Sequence, residues 1–293
     1  ETDGHSGDAG TKTRIEAFLY CVHEDRKRAE KERGPGKDLI ALDSKSDGVK
    51  DIRNRDAIVL VPRMGPGNEA LAAALRGVGL RAEALPIPDQ ETLELGRRHT
   101  SGKECFPMVI TLGSLLKRVL YETDLSQKFS FFMPTANGPC RFGSYATLDR
   151  IVIERLGWKD RVTLWAPVDE DYFESVPDGF AALVYAALCA SDVLLESLYH
   201  ARPVERRKGE ANRIWRYYMD ELNALVEKRG AGNLSAAATL AEVAGGQVYG
   251  VVDLVRRAAK AFAEIMDDRD LPEVLVVGEI YVRLDPFAND FIV

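Results

Sequence analysis

AIVLVPRMGPGNEALAAALRGVGLRAEALPIP, residues 57–88, holds the alternation that decides the fold. AIVLVP is a short continuous apolar run, the pattern of a strand buried on both faces of a parallel sheet. RMGPGN turns the chain, and Glu69 to Gly77 reads as a helix with Leu71 and Leu75 one turn apart. RAEALPIP reads as a second strand, closed by its prolines. Working outward, MVITLGSLLKRVLY predicts a helix whose Val109, Leu112, Leu115, Leu116 and Val119 share a broad face. FSFFMP is a third strand, Tyr145 to Leu156 a helix and RVTLWAP a fourth strand. Strands are thus expected at 57–61, 81–84, 129–133 and 161–165. Alternation of strand and helix points to parallel pairing, because parallel neighbours need a crossover between them. The predicted fold class is α/β: a Rossmann-like doubly wound parallel sheet, followed by a helical region and the start of a second α/β unit.

The division expected from texture has four parts: a lead-in at 1–54, the Rossmann-like domain at 55–170, a helical region at 171–271, and the opening of a second α/β unit at 272–293. The lead-in contains a dense charge run, HEDRKRAEKERGPGKD, read as a solvated helix and a turn. Its CVH, with Cys21 and His23, lacks companions at metal-ligand spacing. In the helical region GFAALVYAALCASDVLLESLY is apolar along much of its length, which puts Cys189 in the core. NRIWRYYMDELNALVEKR aligns Trp215, Met219, Leu222 and Val226. The next helix aligns Val248, Val252, Val255, Ala259, Phe262 and Met266. Both stripes read as core. LPEVLVVGEI returns to a buried strand at 274–277, and Asp285 with Pro286 reads as the cap and first residue of a further helix. One strand and one helix do not make a domain, so a truncation or a small addition is expected there.

Composition narrows the function classes. Hydrophobic residues are 46% and charged residues 29% of the 293, the proportions of an ordinary globular protein. A net charge of −7 offers no basic stripe for nucleic acid. No apolar run reads as a membrane span of ~20 residues, and no signal-peptide pattern opens the chain. Four widely spaced cysteines in a chain of this length do not form a disulfide framework, which points to a reducing cytoplasm. Walker, HExxH and GxSxG motifs are absent. The Gly65-Pro66-Gly67 turn departs from GxGxxG and reads as a tight strand-to-helix connection. Arg63, however, stands at the carboxyl end of the first strand, where open α/β sheets bind ligands.

The concentrated chemical signal is a pair of cysteines. Cys105 lies between Gly102 and Pro107; Cys140 follows Gly138 and Pro139 and precedes Gly143. Both sit in loops just before a predicted helix, and Pro107 fits the first turn, where its missing N–H costs nothing. A helix start offers unpaired N–H groups and the positive end of the dipole, a setting that suits sulfur in its metal-binding thiolate form. Two small hydrophobes beneath loops would be the alternative, and the spacing alone is no metal motif.

TSGKECFPMVITLGSLLK, PTANGPCRFGSY and VGEIYVRLDPFAND together resemble the benzoyl-CoA reductase/2-hydroxyacyl-CoA dehydratase family, in particular the dehydratase-like part of large 2-hydroxyacyl-CoA dehydratase activase (activator) proteins. The resemblance runs from about Ala57 to Val293 in the right order. It implies paired α/β domains with an iron–sulfur cluster of the 4Fe-4S kind in a cleft, and Cys105 and Cys140 as its ligands. It also implies low-potential electron transfer to a CoA thioester, driven by an ATP-hydrolysing activase domain or protein, and a homo- or heterodimeric assembly. The family pattern takes a third cysteine from the following domain, which this sequence lacks. Thr135, Asn137 and Arg141 are the candidate neighbours of the cluster; Arg63, Glu279 and Arg283 are candidates for the ligand cleft. Two other readings stand beside it: a non-catalytic interaction or electron-relay domain without its own cluster, and a CoA- or nucleotide-binding α/β enzyme without metal.

Overall fold

The computed structural model describes residues 15–16, 18–20, 22–23, 46–136, 140–168, 175–269, 271–272 and 274–292. The chain divides into two compact units, Glu1–Lys45 and Ser46–Val293. In the first, the described residues Ile15, Glu16, Phe18, Leu19, Tyr20, Val22 and His23 are helical. Cys21 and most of the charge run lie outside the described residues.

The second unit is built on four strands: β1 (Ile58–Val61), β2 (Ala82–Ala84), β3 (Phe129–Phe132) and β4 (Val162–Trp165). Their order is β2-β1-β3-β4 and all pairs are parallel, with Val59 opposite Ala82, Leu60 opposite Phe131 and Phe131 opposite Leu164. The expected strands form and pair as expected. Alternation along β1 explains why both faces are covered: Val59 and Val61 enter one core, Leu60 the other. Phe129, Phe131, Val162 and Leu164 join Leu60, whereas Phe132 and Trp165 join the Val59 side with their rings edge to face, 4.8 Å between centroids. Each such fully buried Leu or Phe contributes about 1.5–3 kcal/mol relative to exposure.

The helices are α1 (Val49–Asn54), α2 (Asn68–Gly77), α3 (Gln90–Arg98), α4 (Phe106–Leu120) and α5 (Tyr145–Arg155) around the sheet. Then come α6 (Phe180–Ala201), α7 (Glu210–Gly230), α8 (Ala236–Ala244), α9 (Val251–Ile265) and the short α10 (Ile280–Leu284). Val49 and Ile52 of α1 are buried in the same core as β1, so that core reaches into the segment read as lead-in. The helical region is not a separate body either: Leu183, Leu194, Leu222, Leu254 and Phe262 share the core of Val59 and Val61.

Several sequence expectations need correction. α3 was unforeseen; Asp89 caps it, accepting the Thr92 N–H at 2.9 Å. α6 is long and apolar enough to cross a membrane by length and composition, contrary to the expectation that no run is. Yet Phe180, Leu183, Leu194 and Leu198 pack into the common core, while Tyr185, Val193 and Cys189 on its other faces are exposed. Cys189 is therefore no core residue. In α9 the buried face is Val251, Leu254, Ala258 and Phe262, one residue out of step with the predicted stripe. Residues 274–277 form no strand: Val274 and Leu275 are 83% and 85% exposed. Asp285 follows α10 instead of opening a long helix, and its carboxylate accepts the Ala288 N–H in a turn.

Candidate functional site

Cys105 is the N-cap residue of α4, with Pro107 in the first turn as predicted. Its loop is stiffened by Glu104, whose carboxylate accepts the backbone N–H groups of Ser101 and Lys103, each at 3.0 Å. Those bonds, Ser101's foremost, hold the Glu104 carboxyl down to about 2. Cys140 precedes a 3-10 turn, Arg141–Ser144, that leads into α5, and its sulfur accepts the Phe142 N–H at 3.5 Å. Gly143 is required there: a Cβ would stand 2.6 Å from the Ala136 carbonyl oxygen.

Tyr145, the first residue of α5, reaches from the Cys140 side to the Cys105 loop. Its hydroxyl lies 2.8 Å from the Cys105 sulfur. Burial pushes the Tyr145 phenol far above its ordinary range, aided by the contact with the Cys105 sulfur. The hydroxyl thus keeps its proton and can donate it to a thiolate. The Arg141 guanidinium donates to the Lys103 carbonyl at 3.0 Å, tying one cysteine loop to the other. Cys105 is half-buried and Cys140 exposed, and both are free thiols.

The other predicted residues divide. Thr135 bonds the Gly143 carbonyl at 3.1 Å and so shapes the Cys140 loop. Asn137 lies outside the described residues. Glu279 caps α10, accepting the Val282 N–H at 2.8 Å, and its charge reaches Tyr145. Arg283 is exposed, with no ion pair among the described residues. Arg63 faces no open cleft: its Nε is 3.7 Å from a carboxylate oxygen of Asp285, and both side chains are largely buried. Burial pushes the Asp285 carboxyl up, partly offset by the Ala288 N–H and the Arg63 charge. Two residues went unforeseen. Tyr145 reads in sequence as an ordinary aromatic at a helix start. Asp149, one turn further along the same buried face, has both carboxylate oxygens buried without a partner, and burial drives its carboxyl well above the usual range. Only the folded state reveals either.

Fold and site together define a Rossmann-like α/β protein in which Arg141 ties the two cysteine loops together and the Tyr145 hydroxyl lies against the Cys105 sulfur. Comparison of the chain with family models, curated proteins and solved structures finds no match.

Proposed function

We propose that this chain is the cysteine-bearing module of an electron-transfer protein of the 2-hydroxyacyl-CoA dehydratase activase type, with Cys105 and Cys140 as ligands of an iron–sulfur cluster. The observation that carries this reading is the tie between the two cysteine loops: Arg141, next to Cys140, donates to the carbonyl of Lys103, two residues before Cys105. The donor chemistry suits the group, since soft thiolates select such clusters. Among the described residues no set of three or more His, Cys, Asp or Glu side chains gathers as a metal site. On this reading the two sulfurs would be part of a ligand set that another chain or domain completes. A cluster held there would supply single electrons at low potential.

The residues of this chain have separable tasks. Cys105 and Cys140 would hold the cluster; the Tyr145 hydroxyl, 2.8 Å from the Cys105 sulfur, would donate to that sulfur once it is a thiolate ligand and lower the negative charge it presents. Arg141 keeps the loops together, and Phe106 and Phe142, neighbours of the cysteines in sequence, pack against the apolar clusters beside the loops. The ATP-hydrolysing partner, the CoA thioester and a reducing cytoplasmic setting belong to the same proposal. The incomplete ligand set favours one second reading, an electron-relay or interaction domain without its own cluster.

Iron and sulfide analysis after anaerobic reconstitution separates them. The cluster reading expects bound iron and sulfide in the wild type and their loss in Cys105→Ala/Cys140→Ala. Equal iron in both proteins would leave the second reading.

A further inference from the structure

A second site lies between the carboxyl ends of β1 and β3, where a cavity of about 280 Å³ opens beside the Gly65-Pro66-Gly67 turn. Here the chain order reverses, with β2 on one side of β1 and β3 on the other. Open α/β sheets take their ligands at such a point. Neither cysteine lines it. Its walls are apolar, chiefly Met64, Leu71, Phe132 and Leu188; its polar side chains are Asn68 and Asp192.

Asn68 is 7% exposed. Its Nδ2 donates to the Leu85 carbonyl at 3.0 Å, which fixes the orientation of the amide and leaves Oδ1 buried without a partner. A buried acceptor left unpaired is unfavourable, so this cavity-lining side chain is short of a donor. Asp192 adds an acceptor at the rim. Asn68 is also the first residue of α2, whose leading turn has no side-chain cap, so backbone N–H donors stand beside the acceptors.

Donors and acceptors set side by side over apolar walls complement a group that carries both. A carboxylate would face Asn68 Oδ1 and Asp192 with like polarity, and an amine would leave the helix N–H groups unmatched. We propose that this cavity binds a primary carboxamide carried on a small apolar body such as an aromatic ring. The amide NH2 donates to Asn68 Oδ1 and Asp192, and its carbonyl accepts from the start of α2. This site stands independently of the cluster.

The test uses benzamide as probe, with benzoate and benzylamine as isosteric controls, in saturation-transfer NMR titrations of the full 293-residue chain. Benzamide is expected to bind saturably, with both controls at least about tenfold weaker. Asp192→Ala should weaken benzamide roughly fivefold, and Met64→Trp, at a position 38% exposed on the rim, should block it without moving the melting temperature. Cys105→Ala/Cys140→Ala should bind benzamide like the wild type. Absence of benzamide binding would overturn the proposal. So would benzoate or benzylamine binding as tightly, or benzamide binding that survives both Met64→Trp and Asp192→Ala.

Discussion

At the scale of the residue, the cysteines differ in what surrounds them. Cys140 and Cys189 are exposed, whereas Cys105 is half-buried beneath the Tyr145 hydroxyl. Iodoacetamide should therefore label Cys140 and Cys189 roughly tenfold faster than Cys105, as read by mass spectrometry of tryptic peptides; equal rates would show that Tyr145 shields nothing. Asp89 supports a second prediction. The Lys117 ammonium, 2.5 Å away, and the Thr92 N–H hold its carboxyl at about 2, below the ordinary 3.8. A depressed acid stabilises the fold above its unfolded pKa and loses that contribution as pH falls through the folded one. More than half of the Asp89 side chain is exposed, so solvent screening reduces the ion pair and leaves about 1 kcal/mol, the usual worth of an N-cap. Urea titrations of Asp89→Ala should show that deficit at pH 6 and lose it towards pH 2. The cysteine loops were legible in sequence because glycine and proline mark them, and Asp89 was not. Its neighbours Pro86 and Pro88 read as the end of a strand, and in sequence nothing separates the cap from that turn.

At the scale of the element, the strands were legible because β1 and β3 are short apolar runs bounded by turn residues, a pattern local to each segment. The helices were legible in extent and less so in face. α9 shows why: Val252 and Val255 are as apolar as Val251 and Leu254, and packing against α6 and α7 selects the second pair. Phe262 belongs to both stripes and is 3% exposed; Phe262→Ala should cost ~3–5 kcal/mol in denaturant titration. A sharper constraint joins α3 to α4. A Cβ on Gly96 would overlap the Val109 carbonyl oxygen, and one on Gly113 the Thr92 carbonyl oxygen. The two helices thus touch backbone to backbone, with α4 placed to present Cys105. Gly113→Ala should cost about 1–3 kcal/mol, the range for overpacking a filled core. A loss below ~0.5 kcal/mol would mean the helices separate easily.

At the scale of the whole molecule, the parallel sheet followed from alternation, whereas the partners of its far ends did not. The run at 274–277 is apolar enough for a buried strand, yet burial needs a neighbouring strand, and among the described residues none pairs with it. Beyond it, Tyr281 packs on Phe106 with ring centroids 6.4 Å apart, and Asp285 lies against Arg63. Arg63→Met would leave Asp285 buried without its cation, at a cost of about 3 kcal/mol. Hydrogen exchange should then accelerate at the amides of Val282, Asp285 and Ala288 and stay unchanged in β1 and β3. The Phe106 ring has a further consequence, because it supports Tyr281 while its own peptide follows Cys105. The exposed run at 274–277 is the natural place for a protease to cut. Once cut, the piece from 280 onward is held, among the described residues, by side-chain contacts such as Tyr281 on Phe106 and Asp285 beside Arg63, and the nicked protein becomes a bimolecular complex. Its dissociation on dilution uncovers the Cys105 loop, so the rate at which that thiol reacts comes to depend on protein concentration.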